Sequence, residues 1–171
     1  VTPAVLRRYL VNIYYVRSCR EPTGSGGVCQ SSDDGGNPIP TLVRVELGAG
    51  PAWVITPLVE GIEDMQIDYG LDIPPSVAAS ESDGAPDLYS TGTYSEGTTA
   101  MTPDDWANVV AVKIHLLARS VEQEPGYQDA KSYNMGLAGS VSFTAAADKP
   151  YTRHVFTQQV RLVNPSGRRA Q

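Results

Sequence analysis

Two segments in the last third of the chain alternate apolar and polar residues with a period of two. The first is Val109-Val110-Ala111-Val112-Lys113-Ile114-His115-Leu116-Leu117-Ala118-Arg119-Ser120. The second is His154-Val155-Phe156-Thr157-Gln158-Gln159-Val160-Arg161-Leu162-Val163-Asn164. Successive side chains of a strand point to opposite faces, so this pattern reads as β-structure. In the first segment Val110, Val112, Ile114, Leu116 and Ala118 are expected to face inward, with Lys113, His115 and Arg119 outward. In the second, Phe156, Val160 and Leu162 share one face with Gln158 between them; Thr157, Gln159 and Arg161 take the other. Both segments are expected in the main antiparallel sheet, with Val112, Ile114 and Leu116 against Phe156, Val160 and Leu162 in one core. Neither assembles an obvious active site, which suits a part made to fit into something larger.

The rest of the chain supplies further strands and long connections. Residues 5–17 read as a strand that is apolar on both faces, and residues 31–38 as an exposed turn. Residues 41–47 form a short strand and residues 53–57 another extended piece. Residues 58–62 read as a turn or a single helical turn. Residues 63–71 form a strand with Met65, Ile67, Tyr69 and Leu71 on one face and a wet face of Asp64, Gln66, Asp68 and Gly70. Residues 72–105 form a connection far longer than usual, irregular apart from a short strand near Tyr89 and Tyr94. Residues 122–149 form a second polar connection. With 171 residues, 16 Gly and 13 Pro, the expectation is one mainly β domain (β or α+β) over 1–171. It would hold five or six antiparallel strands, long loops and little helix.

The net charge of −6 argues against binding nucleic acid through a basic face. Arg7-Arg8 and Arg168-Arg169 are too short for polybasic membrane anchors. No apolar run reaches the roughly 18–20 residues that span a bilayer. The chain opens at Val1 without a signal peptide, so it reads as the C-terminal part of a longer protein. Cys19 and Cys29 flank the turn-forming stretch Arg20-Glu21-Pro22-Thr23-Gly24-Ser25-Gly26-Gly27-Val28. Such a loop can bring two sulfurs together. A disulfide is favoured over two free thiols or half a zinc site, and it implies an oxidising compartment.

Motifs for chemistry are weak. His115 and His154 sit at a polar position or at the start of a strand, with no His-Glu-x-x-His spacing. Gly24-Ser25-Gly26-Gly27 lacks the spacing of a nucleophile elbow and the lysine of a phosphate loop, and reads as a flexible hairpin tip. Asp83-Gly84-Ala85-Pro86-Asp87 only faintly resembles a calcium loop. Glu63-Asp64 and Asp104-Asp105 are adjacent in sequence, so in strands they point to opposite faces and make poor acid–base pairs. No catalytic residue, cofactor or metal set is expected, and the chain does not read as an enzyme.

One stretch carries a specific resemblance. Leu58-Val59-Glu60-Gly61-Ile62-Glu63-Asp64-Met65-Gln66-Ile67-Asp68-Tyr69-Gly70-Leu71-Asp72 resembles the signature of PilW-type minor pilins of bacterial type IV pili. Residues 6–16, 106–120 followed by Gly126-Tyr127, and 153–169 match the same family in the same order. The resemblance implies a pilin-like fold and a minor pilin that helps prime pilus assembly through contacts with other minor pilins and assembly components. It implies a periplasmic or pilus-surface location and an inner-membrane anchor through a hydrophobic N-terminal helix that the chain lacks. Alternatives are a pilus-tip adhesin or ligand-binding domain, and a pseudopilin of type II secretion. The connection at 72–105 is the candidate interaction loop, with Leu88, Tyr89 and Tyr94 as apolar anchors.

Overall fold

A computed structural model describes residues 10–50, 52–72, 83–94, 99–145 and 150–163. The expected features at Arg7-Arg8, Arg168-Arg169 and Pro74-Pro75, and the start of the 5–17 segment, lie outside the described residues. The structure is mainly β: strands in antiparallel pairs dominate, and the helices are single turns. The chain divides into two compact units, one ending at Glu63 and the other beginning at Asp64.

The first unit is built on β1 (Asn12–Arg17), β2 (Thr41–Leu47) and β3 (Trp53–Glu60), in the order β1-β2-β3. Its register brings Ile13, Val45 and Ile55 into one row and Tyr15, Val43 and Pro57 into the next. Pro57 has no N–H to give to a ladder, which an edge strand tolerates. The expected turn at 58–62 is corrected here. A bulge between Leu42 and Val43 re-pairs β3, so Val59 meets Leu42 and Glu60 meets Thr41. Only Gly61 turns; its φ of +79° suits glycine, and its N–H donates to the Pro40 carbonyl at 2.7 Å. Ile13, Leu47, Trp53 and Ile55 all stand exposed on one face of this sheet.

Between β1 and β2 lie a 3-10 turn at Ser25–Gly27 and a single helical turn, α1 (Asp33–Gly36). The second unit is entered through β4 (Ile62–Leu71). It continues with β5 (Leu88–Ser90), β6 (Thr93–Tyr94), β7 (Thr99–Ala100), α2 (Pro103–Ala107) and β8 (Val109–Arg119). The chain then forms β9 (Ser132–Asn134), β10 (Ser140–Ser142) and β11 (Arg153–Arg161). Four strands form one sheet in the order β11-β8-β4-β5; β6 with β7, and β9 with β10, make small two-stranded ribbons. The connections read as irregular thus hold short strands and one capped helix. Thr102 accepts from the Asp105 amide and Asp105 accepts from the Thr102 amide, with Pro103 in the first turn. Thr-Pro-x-Asp is a legible start signal for that helix.

β8 and β11 pair directly, as expected, with Leu116 opposite Phe156, His115 opposite Thr157 and Val112 opposite Val160. The expected inward face is buried at one end, where Val110 is fully buried and Val112 and Leu162 pack into a core cluster, but further along the faces are reversed from expectation. His115 is 6% exposed and Leu117 is fully buried, whereas Phe156 is 56% and Val160 42% exposed. Ile114, Leu116 and Val112 are only half-buried. The cause is what covers each face. The β9–β10 ribbon lays Tyr133 and Met135 against Leu117, with Val141, Phe143 and Val155 packed around them. A second cluster of Leu71, Met101 and Val109, with Tyr69, Val112 and Leu162, closes the other end. Among the described residues nothing comparable closes over Phe156.

Candidate functional site

The first unit holds a disulfide between Cys19 and Cys29, closing the loop whose residues pointed to it. The loop is not a free tip, and the turn at 31–38 is exposed at Ser31, Ser32, Gly35 and Gly36 while it buries Asp33. Asp33 and the Asp34 carboxylate are buried within it. Asp33 accepts from the Thr23 hydroxyl at 2.5 Å and the Gln30 amide at 2.7 Å. Asp34 accepts from the amides of Arg20 at 2.7 Å, Glu21 at 3.0 Å and Ile39 at 2.8 Å. The Thr23 hydroxyl and then the Gln30 amide hold the Asp33 carboxyl below the usual carboxylate range. Burial pushes Asp34 up, but its three amide donors and Arg20 outweigh it and bring it down. Each carboxylate takes amides from the loop that would otherwise be stranded. Cys19, Cys29 and Asp33 are the grouping of three metal-ligand types found among the described residues. The two sulfurs are bonded to each other, which leaves no thiolate to donate.

The second unit builds two polar clusters on the covered face of its sheet. In one, His115 Nε2 lies 3.1 Å from Asp68 Oδ2 and Nδ1 lies 3.0 Å from Thr157 Oγ1. Asp68 also accepts from the Leu137 amide at 3.2 Å. Gly136 rides on this pair with φ +70°; a Cβ there would sit 2.4 Å from His115 Nε2 and 2.5 Å from Asp68 Oδ2. Asp68, expected on a wet strand face, is therefore buried.

The acid–imidazole–hydroxyl sequence has the outline of a nucleophile with its base and orienting acid. Its surroundings favour a strut instead. Both ring nitrogens are committed within the sheet, the acid also fastens the turn after β9, and the hydroxyl is in the middle of a paired strand. His154, the other candidate, packs edge-on against Phe156 on the open face, with ring centroids 4.6 Å apart.

The second cluster was not singled out from the sequence. Arg153 Nη1 donates to Asp129 Oδ2 at 2.9 Å with both side chains fully buried. Tyr133 donates its hydroxyl to Asp129, and the Lys131 amide donates at 3.2 Å. The Arg153 guanidinium lies 3.6 Å over the Phe143 ring. Burial pushes Asp129 up, but the bond from Arg153 and those from Lys131 and Tyr133 win, so it sits below the usual range. Burial, then the bond to Asp129, pushes Tyr133 up to about 12. A single Asp in a polar connection, 24 residues from its Arg, leaves no local spacing by which a sequence reader could pair them.

Of the three expected anchor residues, Leu88 is exposed at the start of β5 and Tyr89 is half-buried, with the Lys113 ammonium 3.6 Å over its ring. Tyr94 lies in β6, with its side chain outside the described residues. No helix among the described residues is long and apolar enough to cross a membrane.

Antiparallel sheets, a disulfide-closed loop and buried polar struts define a β-rich domain. The family model for the type IV pilus-assembly protein W, PilW, matches residues 14–164, and the chain belongs to that family. Membership places its role in type IV pilus assembly. Neither a curated protein nor a solved structure matches the chain.

Proposed function

We propose that this chain is the globular part of a minor pilin and acts by binding other pilus subunits, without catalysis of its own. The observation that carries the reading is the open face of the four-stranded sheet. Phe156 and Val160 are exposed there, paired across the strands with the half-buried Leu116 and Val112, and Gln158 opposite Ile114 lies between them. Exposed apolar residues grouped in this way on a sheet support a contact site. Leu88, paired with Leu71 and exposed, extends the proposed contact surface along the segment after β4, whereas Tyr89 faces the other side against Lys113. A periplasmic and pilus-surface location follows from the same reading, and it favours priming over adhesion.

The test is the double variant Phe156→Ser with Val160→Ser in the full-length protein of a piliated strain. Purified variant domain should melt as wild type does, while surface pili fall and co-purification with the other minor pilins is lost. Normal piliation with the variant at wild-type abundance would sink the proposal. Loss of the full-length subunit itself would place the cover of this face inside the same subunit.

A further inference from the structure

We propose that the outer edge of β11 pairs with the same edge of a second copy of this chain, antiparallel and centred on Gln158. β11 ends the four-stranded sheet, so its outer side has no neighbouring strand there. The Leu162 amide donates to the Val110 carbonyl, and the Ser120 amide donates to the Thr152 carbonyl. Bonding direction alternates along an antiparallel ladder. Even-numbered residues of β11 therefore bond to β8, while Val155, Thr157 and Gln159 turn their backbone groups outward. Residues 156–161 are all exposed. Among the described residues no backbone group meets Val155, Thr157 or Gln159 from the outer side. The Gln159 carbonyl accepts from the side-chain amide of Gln158 at 2.9 Å, a surface contact that an arriving strand can displace. The edge is also unguarded. β3 is interrupted by Pro57 and a bulge in its pairing, β1 has six residues and β5 three. β11 runs for nine residues in unbroken register, with no Pro and no Lys. An edge of that kind is a template for another strand.

Side chains at the outward positions leave the backbone open. The Thr157 hydroxyl lies 3.0 Å from His115 Nδ1, and the Gln159 side chain is bonded to Tyr89. Both are drawn back over the inner strands, away from the edge. What selects a second copy is that the strand is complementary to itself. Its outer run is Val155-Phe156-Thr157-Gln158-Gln159-Val160-Arg161. With Gln158 opposite Gln158, the Thr157 and Gln159 backbones exchange hydrogen bonds on both sides of the axis. Phe156 of each copy then lies opposite Val160 of the other. These apolar pairs fall at the non-hydrogen-bonded positions, where cross-strand side chains approach most closely. No two cations meet, because Arg161 falls opposite Val155. Centring the pair on Thr157 instead would set Phe156 against Gln158 and Val160 against His154, losing the apolar match. The arrangement is two-fold and uses the same edge on both copies, so it closes at a dimer. Edge pairing leaves the open face uncovered, so it goes beyond the subunit contacts proposed above and does not rest on them.

The experiment is sedimentation velocity of the purified chain from micromolar to millimolar concentration, with amide hydrogen exchange at both ends of the range. One strand pair is a small contact, so a weak dimer is expected. The amides of Thr157 and Gln159 should exchange more slowly in the concentrated sample. Gln158→Lys sets two ammonium groups opposite each other at the axis, and Gln158→Glu sets two carboxylates there. Each should weaken association about fivefold, and an equimolar mixture of the two variants should restore it. Gln158 is exposed, so both variants should melt as the parent does. A chain that stays monomeric at millimolar concentration overturns the proposal and leaves the edge to a different strand. A dimer that Gln158→Lys does not weaken overturns it too, as does a mixture that fails to re-associate. None of these outcomes depends on whether Phe156 and Val160 contact other pilus subunits.

Discussion

The two faces of the four-stranded sheet are made by the same two strands, yet one is closed and the other open. On the closed face, β8 and β11 contribute His115, Leu117, Arg153, Val155 and Thr157. The segment from Asp129 to Phe143 lies over them with Tyr133 and Met135. On the open face the same strands contribute Ile114, Leu116, Phe156 and Val160, among which Phe156 is more than half exposed. The closed face is the more polar of the two. Burial there follows from partners, since each buried charge is met by an opposite charge or several donors, as burial of charge requires. The open face is covered at one end, where Val110 is buried and Val112 and Leu162 pack with Leu71 and Met101; around Phe156 nothing comparable covers it among the described residues. The comparison teaches that the covered side is locked by polar pairs, while the apolar residues around Phe156 are left uncovered among the described residues.

The sharpest way to break this comparison is Arg153→Ala. It strands the Asp129 carboxylate in a buried site and should cost about 3–5 kcal/mol, read by urea unfolding. A loss under about 1 kcal/mol would show that the closed face is not held by this pair. Gly136→Ala should come next. It places a Cβ against His115 and Asp68 at positive φ, with an expected cost of about 1–3 kcal/mol, and loss of the downfield histidine N–H signal would accompany it. Unchanged stability would mean that the turn after β9 moves away from Asp68 at little cost.

The pH dependence is smaller and has two limbs. Asp129 has a lowered carboxyl value in the fold. Its contribution is present above the unfolded value of about 4 and is lost as pH falls through the folded one. Tyr133 is raised to about 12, so its contribution is present below about pH 10 and is lost as pH rises towards 12. Melting temperature should therefore fall at both extremes; Asp129→Asn should remove the acid limb and only lessen the alkaline one, since burial is the first cause of the Tyr133 shift. An acid limb that persists in that variant would put its titrating group elsewhere. The smallest effect belongs to the open face. Phe156→Ser should change the stability of the isolated domain by less than about 0.5 kcal/mol, whereas the same change on the closed face would be felt several times over.

Much of the fold could be read before any coordinates. Thr41–Leu47 and Val109–Arg119 have the bounds that the alternation drew, and the 63–71 strand begins one residue earlier, at Ile62. Alternation is a local property, and backbone pairing preserves it. The disulfide was legible for a related reason, since Cys19 and Cys29 flank turn residues that bring the ends of the loop together. The β9–β10 ribbon was missed, because three-residue strands such as Ser132–Asn134 carry too little pattern to separate from loop.

The sequence alone determined the longer strands such as β2 and β8, the cross-link and the family. Period two fixes which residues share a face, but it is silent on which face meets the core. That choice, and with it the burial of His115, Asp68, Asp129 and Arg153 and the exposure of Phe156, belonged to the tertiary structure. It depends on contacts such as the Leu137 amide donating to Asp68, 69 residues apart, and the Arg153–Asp129 ion pair, whose strength comes from desolvation and from partners that no local stretch of chain contains.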